Sequence, residues 1–266
     1  MTLQLAHTIE NESLNKTIET LKLEFVELFT TYKHMVENEK DILIAIYLEK
    51  LGHLQLELLQ NQTELARLKM KIKLIQAAFN RSEEPNLLSI EQQLNEALKE
   101  YYKQINDSAK SIEAAQKILS SLISEEEAKK LKEIFRILCR RLHPDLNPQQ
   151  TQNEKDLFVR VKAAYDLNQL AELQQILLFL DRKVVSAVIN QTSNQKEEQI
   201  KFLKQNIASL QDKIEQLKQS FPFSIKDLIS DDEQIAQQQE DLRHQIQTIQ
   251  TTIESNQNLL KLMIDE

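Results

Sequence analysis

Chain breakers are almost missing from this sequence: one glycine and four prolines punctuate 266 residues. Tight turns and phosphate-cradling loops draw on glycine's freedom at positive φ. A chain with one glycine is poorly equipped for the turns of an all-β fold or the nucleotide loops of an α/β fold. Helix is what remains, and the Leu-, Glu-, Lys-, Gln- and Ile-rich composition is that of long helices and coiled coils. The length allows one or two compact domains. Aromatic residues make up only 5% of the chain, which favours elongated arms with narrow apolar seams.

The apolar periodicity divides the chain into four parts. In residues 1–40, Leu14, Ile18, Leu21, Phe25, Leu28, Tyr32 and Met35 alternate spacings of four and three, the pattern of one amphipathic helix. A break or bend is expected over Asn38–Asp41. Residues 41–123 read as an antiparallel hairpin. One seam runs Leu51, Leu54, Leu58, Leu65, Leu68, Ile72, Ile75 and Phe79; the other runs Ile90, Leu94, Ala97, Tyr101, Ile105, Ile112, Ala115, Leu119 and Leu122. Ser82–Asn86, with Pro85, links them, and Ser89 is a plausible N-cap. Gly52 inside the first seam allows a close helix crossing. Residues 183–266 are Gln-rich after Ser186. Ile200, Leu203, Ile207, Leu210, Ile214 and Leu217 form one seam and Ile235 to Met263 the return, a second expected hairpin interrupted at Phe221-Pro222-Phe223.

Residues 124–182 are different. Ser124-Glu125-Glu126-Glu127 is a capping box that starts a helix through about Leu142. At about 100° per residue, Leu131, Ile134, Phe135, Leu138 and Leu142 share one face. Lys129, Lys132, Arg136 and Arg140 form a stripe on the opposite face, with Lys130 and Arg141 on a flank. Pro144 and Pro148 bracket a loop, because proline disfavours helix at and before its position. A second helix over roughly Asn153–Leu167 presents Phe158, Val161 and Tyr165 together, and Asn168 is a candidate left-handed stop. Leu170, Leu173, Leu177 and Leu180 give one more short helix. Packed antiparallel, the two longer helices place His143-Pro144-Asp145 at their shared tip, with the imidazole and carboxylate expected to project.

Leu131 to Pro148, with Cys139-Arg-Arg-Leu-His-Pro-Asp-Leu-Asn-Pro148 at its end, followed by Phe158-Val-Arg-Val-Lys-Ala-Ala-Tyr165, resembles the J-domain of DnaJ-type co-chaperones. Phe135, Leu138 and Asn147-Pro148 match family positions of the helix and turn. Phe158, Ala164 and Tyr165 match those of the following helix. The resemblance covers Ser124 to Leu180, and the flanking arms resemble a bacterial group of J-domain proteins with coiled coils. It implies docking on a DnaK-type chaperone and stimulation of its ATPase, with no catalysis by this chain. Lys132, Arg136, Arg140 and Arg141 would meet an acidic surface; His143, Pro144 and Asp145 would engage near the partner's domain interface. Leu131, Ile134, Phe135, Leu138, Phe158, Val161 and Tyr165 would form the J-domain core. The sequence departs from the family in lacking its first helix before Ser124, where Ile118–Ile123 is the expected replacement. The basic motif usual near the family's fourth helix is also absent around Gln169–Glu172.

Plainer readings stand beside these. His143 could be a helix-terminal residue suited to the helix dipole, and the basic stripe a solvated face. Cys139 reads as a small, partly buried helix residue. As the single cysteine it allows no intrachain disulfide and fits a reducing cytoplasm. His7, His34, His53 and His244 lack metal-ligand spacing, so neither a metal nor a cofactor is expected. A net charge of −8 argues against nucleic acid as the default partner, although the basic helix keeps that alternative open. No secretory signal is evident. The longest apolar run, Ile42–Leu48, falls far short of the ~20 residues of a membrane span. The expectation is therefore an all-α cytoplasmic chain: a J-domain-like antiparallel helix pair flanked by long antiparallel coiled-coil hairpins. The arms would serve client binding, self-association into a homo-oligomer, or localisation. The alternative is a scaffolding coiled-coil protein whose J-like fold stimulates nothing.

Overall fold

The computed structural model describes residues 2–182 and 192–265, and side chains within 11–181 and 192–264. The expected boundary at residue 183, the change of composition at Ser186 and the side chain of His7 lie outside the described residues. Among those described, the chain is helical without a strand. The α-helices are α1 (Thr2–His34), α2 (Lys40–Tyr47), α3 (His53–Asn80), α4 (Leu87–Ala97), α5 (Lys99–Ser120), α6 (Glu125–Leu142), α7 (Gln152–Asp166), α8 (Leu170–Arg182), α9 (Ser193–Gln219), α10 (Lys226–Ser230) and α11 (Asp232–Asp265). The break expected over Asn38–Asp41 is replaced by a π-helical turn, Met35–Glu39, leading directly into α2. A second π turn, Leu48–Gly52, joins α2 to α3.

Local chemistry sets the ends. Ser124 Oγ accepts the amide of Glu127 while Glu127 reaches back to the amide of Ser124, the capping box expected for α6. Thr151 with Glu154 and Thr192 with Gln195 repeat the device for α7 and α9. Asn168 adopts φ 53° after α7, as a left-handed stop should. Asn86, rather than Ser89, caps α4: its side chain accepts the amide of Ser89 at 3.0 Å. The helix expected to run unbroken past Ser89 is offset at Leu98 (φ −103°), where α4 gives way to α5. Leu94 and Leu98 are buried there, and Ala97 and Tyr101, expected in the seam, are exposed.

The chain forms two compact units. The first comprises residues 1–41 and 122–224, the second residues 42–121 and 225–266. In the second, α3 packs against α4, α5 and α11. Ile75, Ile90 and Leu94 form a small core flanked by Leu260 and Met263. Glu91 receives both Arg67 and Lys71, tying α4 to α3. A Cβ added to Gly52 would stand 3.1 Å from Ile112 Cγ1 and 3.3 Å from Leu48 Cδ2, so the crossing with α5 depends on a missing side chain. Gly52→Val is expected to destabilise this unit by about 1–3 kcal/mol through overpacking, read as a lower urea midpoint.

In the first unit, α6, α7 and α8 pack on one another, and α1 packs on both α6 and α9. The two seams of residues 183–266 therefore take other main partners than each other: α9 lies on α1, and α11 on α3. An apolar seam fixes which face of a helix is buried but not which helix buries it. Besides α7 and α8, α1 lies on α6; the segment Ile118–Ile123, the expected replacement for a first helix, is not one helix, since α5 ends at Ser120.

Candidate functional site

The site is built on α6 and α7. Phe135 stacks on Tyr165 with ring centroids 3.9 Å apart, and His143 meets Phe158 at 5.1 Å. Phe135 precedes His143 in the chain while its partner Tyr165 follows Phe158, so the two helices are antiparallel. The loop from His143 to Thr151 is their elbow. Leu131, Phe135, Leu138, Phe158, Val161 and Tyr165 are buried in a common core, with Ile134 partly buried against it. Cys139, expected to be partly buried, is wholly so, and burial raises its thiol pKa far above the ordinary value.

The elbow is held by Asn147, which the sequence pattern marks, and by Gln150, which it does not. Asn147 Nδ2 donates to the carbonyls of Arg140 and His143, and Gln150 Nε2 donates to that of Leu142 at 2.9 Å. These carbonyls end α6 without helical partners. The amides of Leu146 and Asn147 both donate to His143 O at 3.0 Å, closing the turn.

His143 does not project, contrary to expectation. It is 8% exposed, and its ring lies edge-on to Phe25 (4.9 Å) and Phe29 (4.5 Å) of α1 as well as to Phe158. A neutral imidazole is apolar enough to bury against aromatic faces once its ring nitrogen is satisfied. Here Nδ1 accepts the backbone amide of Asp145 at 3.2 Å, which puts the proton on Nε2. Pro144 is exposed and Asp145 half-buried. The Asp145 carboxylate accepts from Asn206 of α9 at 3.0 Å, and burial raises its pKa above the ordinary value.

The basic stripe is also engaged. Arg136 Nη2 lies 2.6 Å from Glu27 and Arg140 Nη2 lies 3.0 Å from Glu19, both carboxylates on α1. Burial pushes the Glu19 carboxyl up, but hydrogen bonds and charge from Arg140 and Lys22 outweigh it and hold the group below its ordinary value. Arg141 pairs with Asp181 of α8. Lys132 is half-buried and Lys129 exposed. Phe29, outside the expected seam of α1, Asn206, a polar position between the seam residues of α9, and the surface carboxylates Glu19 and Glu27 are contacts the sequence left unmarked. Phe25 belongs to the expected seam, and Phe29, four residues on, shares its helix face; that spacing is the signal that could have found Phe29.

Burial, then the positive charge of Lys162 on α7, lower the pKa of His143 from 6.5 to about 4. Between those values the unfolded chain binds a proton that the folded chain does not. Folding stability from this group is therefore complete above pH 6.5 and lost as pH falls towards 4. Moving from pH 7 to 5 is expected to remove about 1–2 kcal/mol from the first unit, and His143→Gln should lack that part of the slope in urea unfolding at the two pH values. Asp145 opposes the trend only near and above its ordinary 3.8.

Among the described residues, no group of His, Cys, Asp and Glu is placed to hold a metal, and no helix is long and apolar enough to cross a membrane. No family model matches the chain, and neither a curated protein nor a solved structure resembles it significantly.

Proposed function

We propose that this chain is a J-domain-type co-chaperone that docks on a DnaK-type chaperone in the cytoplasm and stimulates its ATPase. One observation carries the reading: His143-Pro144-Asp145 forms the elbow of an antiparallel pair, α6 and α7, whose first helix bears Lys132, Arg136, Arg140 and Arg141 beside that elbow. A cationic helix speeds and orients encounter with an acidic surface. A turn carrying one imidazole and one carboxylate can then bias a two-state partner if it binds one state better. The other arms serve client binding, self-association or localisation. The chain supplies no chemistry of its own.

The test is a titration of the full chain with a DnaK-type ATPase domain at two salt concentrations. Binding should weaken as salt rises, and Lys132→Glu should weaken it further at low salt. No binding at any concentration, or binding indifferent to both changes, contradicts the proposal. A second reading is favoured by the packing of His143 beneath α1: a scaffold whose J-like pair stimulates nothing.

A further inference from the structure

Four residues of the proposed docking face, Arg136, Arg140, His143 and Asp145, are already in contact with the chain's own α1 or α9. Glu27 and Glu19 of α1 neutralise Arg136 and Arg140. Since the lower number on α1 meets the higher on α6, the two helices run antiparallel. Phe25 and Phe29, on the same stretch of α1, close over His143. Asn206 of α9 holds the carboxylate of Asp145. The covering helices are also joined to each other: α1 packs along α9, with Lys196 Nζ donating to Asn11 at 3.0 Å and Gln211 Nε2 to Glu24 at 3.5 Å. An acidic helix thus occupies the surface that a cationic docking helix would offer to an acidic partner.

We propose that the α1–α9 pair is an autoinhibitory clasp over the elbow, and that a partner's acidic surface docks only after the pair lifts from α6 and α7 as a unit. The inference rests on the co-chaperone reading. While Glu27 and Glu19 neutralise Arg136 and Arg140, that face offers an acidic partner little attraction, so α1 and the partner compete for it. The charged pairs are solvent-accessible, with side chains 43–54% exposed, and such pairs add little to stability. They act here as register marks for the apolar contact beneath, where Phe25 and Phe29 supply the grip. A partner that competes for the arginines meets a docking-competent chain only in the fraction that is open, and its apparent affinity is reduced by that fraction.

The experiment compares three full-length chains: wild type, Asn206→Asp, and Glu19→Arg with Glu27→Arg. Asn206→Asp sets a carboxylate against that of Asp145. The double change sets arginines against Arg140 and Arg136. The variants act from different helices, so misfolding of one leaves the other informative. Hydrogen exchange reports the clasp: the amides of His143, Asp145, Leu146 and Asn147 should exchange about tenfold faster in the variants, while the α6–α7 core amides keep their protection. Adding Arg136→Glu and Arg140→Glu to the α1 double variant should restore slow exchange. Stimulation of a DnaK-type ATPase reports its consequence: the half-maximal concentration should fall by a similar factor in both variants. Equal exchange in all chains overturns the clasp. So does a wild type that stimulates at the same half-maximal concentration as the variants, a result that leaves the co-chaperone reading standing. Faster elbow exchange with no stimulation by any chain overturns the co-chaperone reading, and the autoinhibitory role with it.

Discussion

Phe135→Ala should cost the first unit about 3–5 kcal/mol of stability, the range for truncating a large buried aromatic. The ring is 0% exposed and stacks on Tyr165 at 3.9 Å, with Phe29 of α1 at 6.5 Å on another side. It therefore joins α6, α7 and α1, and its removal leaves a cavity that three helices must collapse together to fill. The hydroxyl of Tyr165 is tied to His34 at 3.3 Å, and burial pushes that phenol up to about 12. This tether limits how far the neighbouring ring can move into the vacated space. Phe135→Leu, which keeps most of the volume, should cost less than half as much. Urea unfolding read by hydrogen exchange distinguishes the units, and the second unit serves as an internal reference. A loss under about 1 kcal/mol would mean that the α6–α7 contact does not hold the unit together.

The largest functional effect is expected at the elbow. His143→Gln should reduce stimulation of a DnaK-type ATPase by about tenfold or more, equivalent to about 1.4 kcal/mol in the barrier. Because His143 is packed among three phenylalanine rings, this change also perturbs the fold, and a lost activity has two explanations. Asp145→Asn separates them. The new amide keeps an oxygen to accept from Asn206 and removes only the charge, so folding should be nearly unaffected and stimulation should still fall. Steady-state ATP hydrolysis, paired with the thermal unfolding midpoint of each variant, checks both. Full stimulation by a stable Asp145→Asn chain would remove the carboxylate from the mechanism.

What could be read from the sequence was mostly local. The capping box at Ser124, the stop at Asn168, the amphipathic face of α6 and the aromatic positions of α7 depend on neighbours within a few residues, and the pattern states them directly. Pairing between helices is another matter. The seams of α9 and α11 are regular and adjacent in sequence, which suggests a hairpin, yet α9 lies on α1 and α11 on α3. Seam spacing carries no address, and here the chain crosses between two units at Ser224. The same reason hid the environment of the elbow. The orientation of His143 is set by Phe25 and Phe29, more than a hundred residues away in sequence, and the partner of Asp145 is a polar residue inside a Gln-rich helix. Glu19 and Glu27 look like ordinary helix surface until Arg140 and Arg136 stand opposite them.

The most direct trial of the docking account is single-turnover ATP hydrolysis by a DnaK-type chaperone mixed with two forms of the full chain, Asn206→Asp and Asn206→Asp combined with His143→Gln. Both should have the elbow uncovered, and they differ only at the imidazole. The account predicts accelerated hydrolysis with the first and the chaperone's unaided rate with the second. Equal rates in the two mixtures, whether accelerated or not, would contradict it.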